Sequence, residues 1–332
     1  MRDFATLIPS ATTRVYWTLV SLESDPIRRY REHLGTISGP AFRRDGLGRA
    51  DDGATAGQLP ADGWINASHE EQSDDRHPAA EGTLVARTEA GMSVHKTVVI
   101  TGASQGIGAG LVKTFLDKGW NVVGTSRNIS ESTLFDRAGR LELINGDVAD
   151  PETAERVATA AVEQFGSIDA LVNNAGVFFT KPFLEYTIED FRRLCATNVE
   201  GFLHFTQRAI EQMLRQKSGG SIVTITSSLT DHPIASVTAS LPMVTKGGLN
   251  AVTKSLALEF AKDNIRVNAL SPGVVDTPLH AKNPRAFLES LSPMGTITAV
   301  QEIVDGVVYL TESSNITGEV LHVDNGAHLG KW

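Results

Sequence analysis

Short apolar runs alternate with amphipathic stretches along the chain from Lys96 onward. Residues 96–101 (Lys-Thr-Val-Val-Ile-Thr) form a continuous β-branched run, the kind buried on both faces of a parallel sheet. Runs of similar character recur at 121–125, 141–145, 170–172, 221–227, 265–270 and 320–323. After the first run, Leu111, Phe115 and Leu116 fall at helical spacing, and longer helical patterns occupy 190–216 and 241–262. Strands separated by helices predict an α/β fold, a doubly wound parallel sheet of about seven strands flanked by helices.

Residues 1–91 lack this rhythm. They carry ten arginines and no lysine, with acidic clusters such as Glu70-Glu71 and Asp74-Asp75. Only 12–33 has a loose helical face, from Val15, Leu19, Leu22 and Ile27. The stretch 35–90, rich in turn formers and charge, reads as mostly disordered. The domain reading is therefore an extension over 1–91 and a folded domain over 92–332. A regulatory or partner-binding arm is one alternative for the extension. Another is that translation starts at Met92, which leads directly into the first strand.

A net charge of −9 without basic stripes argues against nucleic-acid binding. No apolar run approaches the roughly 20 residues that span a bilayer, so no membrane role is expected. The lone Cys195 excludes an intramolecular disulfide and suits a reducing cytoplasm, and no His/Cys/acid spacing suggests a metal site.

The first strand leads into Gly102-Ala103-Ser104-Gln105-Gly106-Ile107-Gly108 and then a helix. This strand, glycine-rich loop and helix together make a dinucleotide site. Gly102 permits the tight turn, Gly106 lets backbone approach a pyrophosphate, and Gly108 allows close helix packing, while the helix N-terminus supplies N–H donors. The Thr-Gly-x-x-x-Gly-x-Gly spacing resembles that of the short-chain dehydrogenases/reductases. The second strand ends in Ser126-Arg127, with no acid for a ribose 2′-hydroxyl and an arginine suited to a 2′-phosphate, which favours NADP(H) over NAD(H).

Further stretches match the family in order over almost all of 92–332. Asp147-Val148 resembles the pair that contacts adenine. Asn173-Asn174-Ala175-Gly176 resembles the signature that braces the sheet and lines the cofactor. Residues 271–278, including Pro272, Gly273, Val275 and Thr277, resemble the loop that meets the nicotinamide carboxamide.

The resemblance implies an oxidoreductase acting on a small carbonyl or alcohol compound. It also implies a homodimer or homotetramer through the helices at 190–216 and 241–262. Asn198 matches the asparagine that holds a water beside the lysine, Ser228 the serine that binds the substrate oxygen, and Lys246 the lysine that binds the nicotinamide ribose. The residue four before Lys246 should be the proton-donating tyrosine, but here it is Pro242, which has no ionisable group.

His232, four residues after Ser228, is the candidate replacement acid, with Asp231, Thr238 and Ser240 weaker. The different-class alternative is a catalytically weak or inactive NADP-binding regulatory protein. Phe178, Phe179, Leu229, Leu279, Met294, Pro242 and Met243 are expected to give an apolar substrate pocket. An intact mass of the protein from its native source is expected to start at Met92 if the extension is not translated, and a mass including 1–91 would reject that start.

Overall fold

The computed structural model describes residues 95–132, 134–135 and 139–330. The helix expected at 12–33 and the disorder expected at 35–90 lie outside the described residues. Seven strands form one sheet: β1 Thr97–Thr101, β2 Asn121–Ser126, β3 Leu141–Asn145, β4 Ala170–Asn173, β5 Gly220–Ile225, β6 Ile265–Pro272 and β7 Val320–Val323. All pair in parallel, as the alternating pattern predicts, and their order is β3-β2-β1-β4-β5-β6-β7. The helices are α1 Gly106–Asp117, α2 Pro151–Phe165, α3 Ile188–Cys195, α4 Gly201–Gln216, α5 Ser240–Glu259, α6 Arg285–Glu289 and α7 Val300–Glu312.

Alternation along β1 divides the core. Val98 and Ile100 join the cluster containing Leu111, Val112 and Phe115 of α1 and Val304 and Val307 of α7. Val99 faces the other layer, with Val157 of α2, Phe205 and Met213 of α4 and Ala257 of α5. Burying a side chain such as Phe115, which is fully enclosed in α1, contributes about 2–3 kcal/mol.

The elements differ in detail from the sequence pattern. The run at 221–227 stops pairing at Ile225, because Ser227 turns to cap the short 3₁₀ turn Ser228–Thr230. The helix at 190–216 resolves into α3 and α4 joined by a π-helical turn, Ala196–Glu200. The pattern at 241–262 ends as α5 at Glu259, and a 3₁₀ turn, Ala261–Asp263, leads to Asn264 with φ +57°. Two long helices, α2 and α7, go beyond those expected from apolar spacing. For α2 the local signals are clear: Asp150 accepts the N–H of Glu152, Pro151 opens the helix, and Gly166 ends it at φ +83°.

The chain runs outward through β1, β2 and β3, then returns to place β4 beside β1. Strand order therefore reverses between β1 and β4, leaving a crevice beyond their carboxyl ends. No helix among the described residues is long and apolar enough to cross a membrane.

Gly108 sits against this crevice. A methyl group there would overlap the carbonyl oxygen of Gly102, whose backbone cannot easily retreat because its own Cα faces Ala175. Gly108→Ala is expected to destabilise the fold by about 1–3 kcal/mol despite the better helix propensity of alanine, measurable as a lower urea midpoint.

Candidate active site

Hydrogen bonds lock the carboxyl ends of β1 and β4 together. The Thr101 hydroxyl accepts the N–H groups of Asn174 (3.1 Å) and Ala175 (3.0 Å). In return, the Asn174 side-chain amide donates to the carbonyls of Thr101 (2.9 Å) and Gly102 (3.1 Å). Gly102, at φ +66°, starts the loop into α1, and Gly106, at φ +53°, approaches Thr277. Gln105 precedes α1 without a side-chain cap, so the first-turn N–H groups remain free for an anion.

A groove of about 940 Å³ runs over these ends. Its lining brings together Gly102, Ser104, Gln105, Gly106 and Ile107 with Ser126 and Arg127, Asp147 and Val148, Asn174, Ala175 and Gly176, and Thr277. Gly108 is not among the lining residues and instead packs the helix onto the loop. Ser126 closes β2, and the exposed Arg127 has no ion-pair partner among the described residues. Arg193 and Thr197 also line the groove, although no motif marks them in the sequence. The open helix terminus and the unpaired Arg127 on one groove fit the phosphates of a dinucleotide.

The groove continues into a cavity of about 210 Å³, which shares Ile107, Asn174, Gly176 and Thr277 with it. Lys246, Ser228, Pro272, Gly273 and Val275 line this cavity. The 271–278 loop is held in place: the Gly273 N–H donates to Val323, the Asp276 N–H donates to Thr298 at 2.9 Å, and Val275 bridges Thr298. A side chain at position 273 would collide with Asp324.

Asn198 lies in the π turn, a local unwinding frequent at functional sites. Its amide oxygen accepts the Val177 N–H (2.8 Å), and its nitrogen donates to the Val177 carbonyl (3.1 Å) and the Thr245 hydroxyl (3.0 Å). Thr245 in turn donates to the Pro242 carbonyl at 3.0 Å, a link with no signal in the sequence. The Lys246 ammonium donates to the Ile225 carbonyl at 2.7 Å. A side chain at Gly176 would intrude on both Lys246 and Asn198. Burial pushes the Lys246 pKa down to about 8.

Pro242 is buried in the first turn of α5, where its missing N–H leaves no helix bond broken, and it does not line the cavity. No tyrosine among the described residues lines it either. Tyr186 donates its hydroxyl to the Phe179 carbonyl, and Tyr309 is exposed on α7. His232 is exposed, with its ring against Gly330, and lies outside the cavity lining; so do Asp231, Thr238 and Ser240. Of the apolar residues expected there, Phe178, Leu229 and Leu279 line the cavity. Phe179, Met294, Pro242 and Met243 do not: Phe179 packs instead with Tyr186, and Met294 is 70% exposed. The cavity lining also includes polar residues not anticipated from the sequence: Thr226 and Ser227, which share the wall with Ser228, and His280.

A family profile described as enoyl-(acyl carrier protein) reductase matches residues 102–328, the whole span from the glycine-rich loop past the last strand. The chain belongs to the short-chain dehydrogenases/reductases. Among relatives of this dehydrogenase/reductase, 3beta-hydroxysteroid dehydrogenase 1 of Eggerthella lenta is 34% identical over 250 residues, covering 70% of this chain and 94% of that protein. The solved structure of ElxO with NADP bound superposes with a TM-score of 0.65 at 29% identity, covering 70% of this chain and 98% of that one. A 3-ketoacyl-(acyl-carrier-protein) reductase from Brucella melitensis complexed with NADH gives 0.65 at 28% identity, covering 71% and 100%. Membership makes the chain a nicotinamide-binding oxidoreductase by family.

Lys246 links this dehydrogenase/reductase to pH. Its folded pKa, about 8, lies below the usual 10.5. Between those values the unfolded chain holds the proton and the folded chain does not, so the residue's contribution to stability rises with pH across that window and is flat below it. Urea unfolding of wild type and Lys246→Met is expected to show their difference shifting in favour of wild type by a few kcal/mol from about pH 8 to 10.5. A constant difference would place Lys246 in a less buried setting.

Proposed function

We propose that the protein is an NADP(H)-dependent oxidoreductase acting on a small carbonyl or alcohol compound with an apolar body, using a proton donor other than tyrosine. The observation that carries this reading is a single continuous site: a cationic groove with a free helix N-terminus opens into a small, mostly apolar cavity walled by Ser228 and Lys246. When bound, the dinucleotide supplies or takes up a hydride.

The chain's own residues do the rest. The α1 terminus and the Ser104–Gly106 backbone hold the pyrophosphate, while Arg127 neutralises the 2′-phosphate and disfavours NAD(H). Asp147 and Val148 flank the adenine, and Asn174, Ala175, Gly176, Pro272, Gly273, Val275 and Thr277 wall the nicotinamide half. Lys246 binds the ribose, Asn198 fixes the backbone of Val177 beside it, and Ser228 orients the substrate oxygen.

Exposed Val199 and Leu203 near the start of α4, together with Val244 and Leu258 of α5, offer an apolar face for a second copy of the chain. A second reading, a weak or inactive NADP-binding regulator, is favoured by one observation: no tyrosine among the described residues lines the cavity.

Fluorescence titration is expected to show NADPH binding more tightly than NADH. Arg127→Ala is expected to cost about 10- to 100-fold in NADPH affinity while changing NADH affinity little. Light scattering of the same sample is expected to give a dimer or tetramer. An NADH preference would reject the Arg127 role. Turnover of aldehydes, ketones or quinones by wild type supports the enzyme; tight binding with turnover appearing only in Pro242→Tyr supports the regulator.

A further inference from the structure

The oxidoreduction proposed above needs a proton exchanged with the substrate, and among the described residues lining the cavity two titrate in the ordinary range, Lys246 and His280. The remaining polar side chains are the Asn174 amide, which does not titrate, and the aliphatic hydroxyls of Thr226, Ser227, Ser228 and Thr277, weak acids at neutral pH. Lys246 is engaged with the Ile225 carbonyl at 2.7 Å. The His280 imidazole has no hydrogen bond or ion pair with any described residue.

His280 closes the 3₁₀ turn Pro278–His280, immediately after Thr277, which lines groove and cavity alike. Its backbone is fixed on both sides, with its N–H donating to the Thr277 carbonyl (3.0 Å) and its carbonyl accepting from Asn283 (2.9 Å). The charged neighbours along this loop, Asp276 and Arg285, approach each other at 3.8 Å. Neither they nor Lys282 line the cavity.

We propose that His280 is the acid–base residue of this site, taking the hydroxyl proton of an alcohol bound in the cavity and returning it in the reverse direction. This rests on the nicotinamide-dependent oxidoreduction proposed above. In the oxidation, the carbinol C–H bond breaks and its hydrogen leaves with the electron pair to the nicotinamide dinucleotide, the two-electron oxidant. The O–H bond breaks with its proton going to the imidazole nitrogen, and the C=O bond forms; the imidazolium then releases the proton to water. Burial lowers the His280 pKa from that of an ordinary histidine, which favours the neutral, proton-accepting ring. Alcohol oxidation then gains as pH rises through the His280 midpoint, and carbonyl reduction, which needs the imidazolium, is lost.

The test uses the full chain labelled with ¹³C-histidine, with the His280 resonance assigned by its loss in His280→Gln. It is titrated between about pH 5 and 8 with and without NADP⁺, alongside fluorescence binding of NADP⁺ and turnover of cyclohexanol and 1-phenylethanol. The expected result is a midpoint below that of an ordinary histidine, shifted by NADP⁺. His280→Gln should lower turnover by about 10² to 10⁴-fold with the NADP⁺ dissociation constant within about threefold of wild type, which also shows that the variant is folded. The resonance decides the matter if neither alcohol is a substrate.

A His280 signal unmoved by saturating NADP⁺ would overturn the proposal. So would His280→Gln turning over like wild type while Lys246→Met does not, which would assign the proton to Lys246. If fluorescence shows no dinucleotide binding at all, the oxidoreductase reading fails first and this one with it.

Discussion

The Thr101 hydroxyl, the Asn174 amide and the two strand-end carbonyls they satisfy hold the site in one geometry. β1 and β4 diverge at the point where the strand order reverses, and their last backbone groups would otherwise face a crevice with no ladder partner. Thr101 accepts from Asn174 and Ala175, and Asn174 donates back to Thr101 and Gly102. Buried groups are thereby paired in both directions, which removes the desolvation penalty of leaving them open. The same bonds place Gly102 against Ala175 and so aim the start of α1 across the groove.

From that anchor the site divides into two environments. Over the groove, backbone N–H groups and Arg127 present positive potential to solvent, a setting for a polyanionic ligand. In the cavity, Phe178, Leu229, Ile234, Val237 and Leu291 present an apolar lining around a few polar atoms. Low polarity around Lys246 and His280 disfavours the charged form of each, pushing the Lys246 pKa down to about 8 and the His280 pKa below that of an ordinary histidine. With no tyrosine in α5, the cavity still carries two titratable side chains, Lys246 and His280, among the described residues.

Pro242 illustrates how such a replacement is tolerated. In the first turn of a helix a proline breaks no hydrogen bond, and its carbonyl still accepts from Thr245, which is bonded to Asn198. The backbone around the lysine is thus kept while one side-chain chemistry is removed.

The succession of strands, the helices other than α2 and α7, the glycine positions, the Ser126-Arg127 strand end and the absence of tyrosine before Lys246 are legible in the sequence. They depend on local periodicity and on backbone conformations that only certain residues adopt. The direction of side chains on irregular segments is not legible there, because distant contacts set it. His232 follows Ser228 closely in the chain, yet its ring lies against Gly330. His280 reaches the cavity because its loop is pinned to Thr298. Phe178 lines the cavity while its neighbour Phe179 packs with Tyr186. Sequence alone determined the scaffold and the missing acid; tertiary packing decided which imidazole faces the substrate cavity, since loops have no period from which a side chain's direction could be read.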